Sequence, residues 1–183
     1  MSHLAKNTSF VEPFRSVEDI GKIKRHLRLQ PKHLLVFTIG INSPLRVKTL
    51  INMKKTDLNN LKVGDPVNLY GERFVFNATI AECLEYYHDH EDSRRSYLFS
   101  KKSTDEPIKA EYLTKMIKDW TRKCRIEGNF GGQTLRKTFG YINRVAYGAD
   151  LKVLSGLYGH PCPSVTLRYL DIEDRDAMTL QSI

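Results

Sequence analysis

A chain of 183 residues is about one domain in length and can enclose a hydrophobic core without disulfide or metal staples. With 40% hydrophobic and 27% charged residues it falls outside the mainly disordered class. Twenty-nine Lys and Arg against 21 Asp and Glu leave a formal charge of +8, which favours a polyanionic partner, nucleic acid ahead of a membrane surface.

Residues 1–15 read as an N-terminal arm, irregular as far as Pro13. Ser16-Val17-Glu18-Asp19 fits a capping box at the start of a helix. That helix sets Lys22, Lys24, Arg25 and Arg28 around apolar Ile20, Ile23 and Leu27. Pro31 permits a new start, and His33 to Ile41 has the nearly continuous apolar character of a central buried helix. Asn42-Ser43-Pro44 signals a turn before a third helix over Leu45 to Met53. Val67 to Tyr70 and Arg73 to Phe76, around Gly71-Glu72, predict a small hairpin. A second capping box at Thr79 to Glu82 opens a helix through about Tyr87, followed by an acidic connector from His88 to Arg95.

Tyr97 to Ser100 is a short apolar piece ahead of a polar loop. Residues 109–125 return to helical spacing, with Leu113, Met116, Ile117 and Trp120 apolar and Lys115, Lys118, Arg122 and Lys123 basic. Gly128 to Gly132 breaks the pattern. Helices follow at Gln133 to Tyr147, Asp150 to Leu157 and Ser164 to Tyr169. The expected architecture is mainly α with a small antiparallel β-hairpin, in one domain over residues 16–183. Cys83, Cys124 and Cys162 are widely spaced without a CxxC pair, which points to reduced thiols in a cytoplasmic protein and to no metal site. The N-terminus lacks the apolar run of a signal peptide, and the longest apolar stretch covers about half a membrane span. No membrane association and no cofactor are expected.

The last third carries the chemistry. Gln133-Thr134-Leu135-Arg136 is followed by Leu157-Tyr158-Gly159-His160, and Tyr169 lies nine residues beyond that histidine. Upstream, Gly40 to Val47 places Leu45-Arg46 at a helix start. Singly, a helical tyrosine is usually a packing residue, a helical arginine is usually solvated, and a histidine after glycine can simply cap a helix. Joint order and spacing set them apart. The pattern resembles the catalytic domain of the tyrosine recombinases, the phage integrase family.

The resemblance implies a metal-free cleavage of duplex DNA through a 3′-phosphotyrosine, in site-specific integration or excision of a mobile element. It implies Tyr169 as nucleophile, Arg46 and Arg136 as forks for the non-bridging phosphate oxygens, and His160 as a donor to phosphate or an acceptor of the phenol proton. Gln133 takes the place of the histidine that usually heads the His-x-x-Arg box. The DNA-binding residues expected from the basic faces are Lys22, Lys24, Arg25, Arg28, Arg73, Lys115, Lys118, Arg122 and Lys137. The family further implies other recombinase protomers on DNA in a tetrameric synapse, a nucleoid-associated location, and an N-terminal core-binding domain that this stretch of chain does not include.

Three departures bear on activity. Gln133 can donate a hydrogen bond but cannot serve as acid or base. Thr49 occupies the position of a buttressing carboxylate, and the hairpin contains no lysine where the family keeps its general acid. An attenuated enzyme is therefore expected; the alternative is a catalytically impaired relic that binds DNA without cutting it. A type IB topoisomerase uses the same nucleophile and clamps, but its monomer needs a longer chain.

Overall fold

A computed structural model of the chain describes residues 10–91, 94–101 and 103–172. Ser16 caps helix α1 (Val17–Leu27), its hydroxyl accepting from the amides of Glu18 and Asp19, and the helix buries Ile23 and Leu27. Helix α2 (Pro31–Ile41) starts on its proline and buries a continuous run from Leu35 to Gly40. It forms the central post of the domain, packed by α1, α3 (Val47–Ile51), α4 (Ala78–His90) and α6 (Gly132–Val145). Helix α5 (Ala110–Lys123) turns Leu113, Met116, Ile117 and Trp120 inward, and the Trp120 ring meets Phe37 of α2 edge-on at 6.0 Å. Helices α7 (Leu151–Tyr158) and α8 (Pro163–Leu170) pack on each other and close against α6. A 3₁₀ turn, Lys55–Leu58, leads into the hairpin.

Three elements differ from the sequence-based expectation in ways that matter. Strands β1 (Pro66–Leu69) and β2 (Glu72–Val75) pair antiparallel, with Leu69 opposite Glu72. The turn is therefore Tyr70-Gly71 rather than Gly71-Glu72; both residues take positive φ, 52° and 83°, as a two-residue connection of the I′ kind requires. Because side chains alternate along a strand, that shift of one residue turns Glu72 inward beside Phe74 and leaves Arg73 outside. Helix α3 is also shorter than the expected span, Arg46 standing at its N-cap. Asn77, not Thr79, caps α4 by accepting from the Ile80 amide, and the helix runs on through His90. The acidic residues of the tail beyond Ile172 lie outside the described residues.

The hydrophobic interior is divided. One large cluster spans Phe14 to Leu135 and includes both faces of α2. A second, built on Tyr141, Leu154, Tyr158, Leu170 and Ile172, belongs to the far half of α6 with α7 and α8. Gly140 makes the junction possible: a Cβ there would lie 2.4 Å from the Tyr158 hydroxyl and 2.7 Å from Leu170.

Candidate active site

The five residues of the two sequence boxes come from four separate places and meet in one cluster, Arg46 joining it through Glu72. Arg46 reaches in from the start of α3, Gln133 and Arg136 from the first turns of α6, His160 from the link after α7, and Tyr169 from the last turn of α8. Asp150 caps α7 by accepting from the amides of Lys152 and Val153, and Gly159 ends the helix in the left-handed region (φ 69°), which turns the chain so that His160 faces α8.

Tyr169 donates its phenol hydrogen to Gln133 Oε1 at 3.1 Å. The Arg136 guanidinium carbon lies 4.8 Å from the centre of the Tyr158 ring and 6.0 Å from that of Tyr169. The His160 ring stacks on Tyr158 with centroids 5.4 Å apart and meets Tyr169 edge-on at 5.2 Å. Tyr158 thus forms the floor against which the guanidinium, imidazole and phenol are arranged. Its own hydroxyl donates to the Arg136 carbonyl (2.7 Å), while Arg136 Nη2 donates to the Tyr158 carbonyl (3.3 Å), a reciprocal lock between α6 and α7.

Arg136 is only 6% exposed, and its Nε hydrogen has no acceptor among the described residues. A buried guanidinium donor without a partner costs about 1–3 kcal/mol or more. Burial lowers the Arg136 pKa, and the neighbouring Arg46 charge adds to that. Glu72 offsets the crowding of positive charge. Its carboxylate pairs with the Arg46 guanidinium, accepts from the Arg46 amide at 2.9 Å, and lies 4.0 Å from Arg136 Nη1. Sequence reasoning missed this residue, having placed it in the hairpin turn. It is 6% exposed and supplies a negative charge between the two arginines where Thr49, itself buried, supplies none.

The imidazole is held in one tautomer by a chain of hydroxyls. Ser155 Oγ donates to the Leu151 carbonyl (2.6 Å), so at 2.8 Å from Thr166 Oγ1 it can only accept. With the Thr166 proton committed to Ser155, Thr166 accepts at 2.9 Å from His160 Nδ1–H. Nε2 then carries the lone pair. Burial, followed by the charges of Arg136 and Arg46, lowers the His160 pKa and favours this neutral ring. Burial raises the Tyr169 phenol above its ordinary value, and Arg136 and Arg46 pull it partway back.

The expected DNA-contacting residues are distributed differently. Lys115, Lys118 and Arg122 face solvent on α5, and Arg25 and Arg28 on α1, while Lys22 and Lys24 are partly covered. Lys22 is paired with Asp19 and Glu18, and Arg122 with Asp119. Arg73 is exposed on the outer hairpin face, where a shallow concavity of about 400 Å³ runs to Val153, Gly156 and Leu157 of α7. Lys137 departs from the expectation of a surface cation. It is 4% exposed, and its ammonium donates to the Val11 carbonyl. One residue further along α6 than Arg136, it points under the site rather than into it.

Among the described residues no helix is long and apolar enough to cross a membrane. A probable integrase/recombinase of Bacillus subtilis (strain 168), YoeC, is 28% identical over 169 residues, which is 90% of this chain and 91% of that one. The fold is similar to the crystal structure of XerA recombinase, with a TM-score of 0.75, 18% identity, and coverage of 94% of this chain and 63% of that one. It is also similar to XerH site-specific recombinase in a post-cleavage complex with difH substrate (TM-score 0.74, 15% identity, 96% of this chain, 54% of that one). The Tn1549 transposon integrase bound to circular intermediate DNA gives a TM-score of 0.69 at 14% identity, over all of this chain and 67% of that one. The chain thus spans a little over half to two thirds of these solved proteins and nearly all of YoeC. Residues 17–175, which include every side chain of this cluster, match the model of the phage integrase family, and the chain belongs to that family.

Proposed function

We propose that this chain is the strand-cleaving and rejoining domain of a site-specific DNA recombinase, acting on duplex DNA through a covalent 3′-phosphotyrosine. The Tyr169 oxygen attacks the scissile phosphorus, the bond from phosphorus to the 5′ oxygen breaks, and the phenol proton passes to Nε2 of neutral His160. Arg46 and Arg136 hold the non-bridging oxygens and oppose the charge that grows on them. Gln133 positions the phenol before attack without acting as acid or base. The departing 5′ oxygen takes its proton back from the His160 imidazolium or from water, since the hairpin offers no lysine; losing a dedicated general acid costs about 100–10,000-fold, so slow cleavage is expected.

The observation that carries this reading is Arg136: a buried guanidinium with an unpartnered N–H, wedged between Tyr158 and Tyr169 and joined to Arg46 through one carboxylate. That arrangement costs free energy unless an anion completes it, and a phosphodiester has the oxygens to do so. The exposed cations of α1 and α5 are candidates for contacting the DNA backbone, with affinity falling at a log–log slope of about −0.9 per phosphate contact as salt rises. Other protomers would assemble with this one on DNA, four to a synapse.

A nicked suicide duplex tests the proposal. A covalent adduct should accumulate slowly with the wild type and vanish in Tyr169→Phe, while salt-sensitive duplex binding persists in both. Binding without any adduct in the wild type would instead favour a recombinase relic that occupies DNA without cutting, the reading motivated by Gln133 and the lysine-free hairpin. An adduct that survives Tyr169→Phe overturns the assignment of the nucleophile.

A further inference from the structure

Lys137 is a lysine with little solvent and an unusual set of neighbours. Its ammonium lies 3.4 Å from the centre of the Phe10 ring and 5.2 Å from that of Tyr169, and it donates to the Val11 carbonyl at 2.8 Å. The segment it grips, residues 10–15, is tied down along its length. Asn129 Nδ2 donates to the Phe10 carbonyl (2.6 Å), the Glu12 amide to the Asn129 carbonyl (2.8 Å), and the Phe14 amide to Thr138 Oγ1 (2.8 Å). The Phe14 ring is buried 4.9 Å from Phe130. Arg15, at the end of the segment, pairs with the Asp171 carboxylate, donates to the Asp171 carbonyl (3.1 Å), and lies 5.0 Å from the Tyr141 ring centre. Asp171 is the second residue after Tyr169 and ends α8 in the left-handed region. Six residues of chain therefore reach Tyr169 twice: under its ring through Phe10 and Lys137, and at the end of its helix through Arg15.

We infer that Lys137 is a positioning residue for Tyr169, and that residues 10–15 form a strap through which it holds the phenol in line with Arg136. The inference rests on the assignment of Tyr169 as the nucleophile made above. Helix α8 has eight residues, too few to hold its shape without tertiary contacts, so the direction of the phenol depends on what grips the helix from outside. A desolvated ammonium against an aromatic face is one of the stronger grips available to a ring. The charged groups facing Lys137 are Glu12 and Arg15 on the strap and Asp171 at the end of α8; burial, opposed by Asp171 and Glu12, leaves its pKa at about 8. Above that pH the ammonium is lost, and the hold on both rings loosens with it.

The experiment compares wild type, Lys137→Met, Lys137→Arg and Phe10→Ala on the suicide duplex, with thermal melting, duplex binding, and hydrogen exchange of residues 163–172. Phe10 is 37% exposed, so its truncation leaves the core intact and keeps the test sound should Lys137→Met fail to fold. Lys137→Met and Phe10→Ala are expected to slow adduct formation by about 3–30-fold, the rate equivalent of a partly to fully desolvated cation–π contact. They should also speed exchange in α8 while leaving duplex affinity unchanged. Lys137→Arg should restore most of the rate. Its rate relative to wild type should then rise above pH 8, because a guanidinium stays charged where the wild-type ammonium does not. Wild-type rates and wild-type α8 protection in folded Lys137→Met or in Phe10→Ala overturn the inference and leave the proposed function standing. Absence of any adduct in the wild type overturns the proposed function instead, and α8 exchange then decides the strap separately.

Discussion

The two hydrophobic clusters of this domain carry different halves of one site. Arg46, Glu72 and the first turns of α6 are mounted on the large cluster, whose members Leu35, Phe37, Ile39, Leu50 and Leu135 are almost wholly buried. His160 and Tyr169 are mounted on the small one, four buried residues shared by two eight-residue helices and the end of α6, with Ile172 just past α8. Burial on this scale predicts that the part holding Arg46 and Arg136, the proposed phosphate forks, opens last, and the part holding Tyr169, the proposed nucleophile, opens first. Under the proposed function, such a division would let the phenol change position while the arginines stay in place. Helix α6 joins the halves, with Leu135 in one cluster and Tyr141 in the other, and Arg136 lies between them.

Substitutions at the seam test that division. Glu72→Gln keeps the shape of the side chain and removes the charge between the two arginines. Adduct formation should fall about 10–100-fold, corresponding to the loss of charged hydrogen bonds worth about 1.5–3 kcal/mol, measured as single-turnover cleavage of the suicide duplex. A wild-type rate would mean that the two guanidinium groups are held apart by other means. Gly140→Ala forces a methyl group against Tyr158 and Leu170, and should lower stability by about 1–3 kcal/mol in denaturant titration. Its signature is uneven: amide exchange should rise in α7 and α8 well before α2. Equal acceleration in both would show a single cooperative unit and break the comparison.

The smallest effect is a pH dependence. The unfolded His160 takes its proton near 6.5, and the folded ring lower, because of burial first and the two arginines second. Below 6.5 the unfolded chain therefore binds more protons, and stability is lost as pH falls from there towards the folded pKa. His160→Gln should flatten that part of the slope in denaturant midpoints measured from pH 7.5 to 5. An unchanged slope would place the ring in water rather than against Tyr158.

Much of this architecture can be read along the chain. Ser16 before Glu18 and Asp19, the unbroken apolar run of α2, and the 3.6-residue spacing of α5 are local patterns, and each became the element it predicts. The order of Arg46, Arg136, His160 and Tyr169 is legible through its resemblance to the phage integrase pattern, and the structure brings these side chains together. The hairpin turn was misplaced by one residue, since Tyr70 rather than a glycine or asparagine opens it with positive φ. That small error concealed Glu72.

Linear order established the helices, because amphipathic period and capping act within a few residues, and the spacing of Arg46, Arg136, His160 and Tyr169 marked the groups that we propose react. Folding alone selected the partners of those groups. Glu72 meets an arginine 26 positions away, Lys137 a carbonyl 126 away and Arg15 a carboxylate 156 away, and no local pattern encodes contacts over such separations. They exist because two packed clusters bring residues 10–15 against α6 and the end of α8, and burial then decides which charges must be paired.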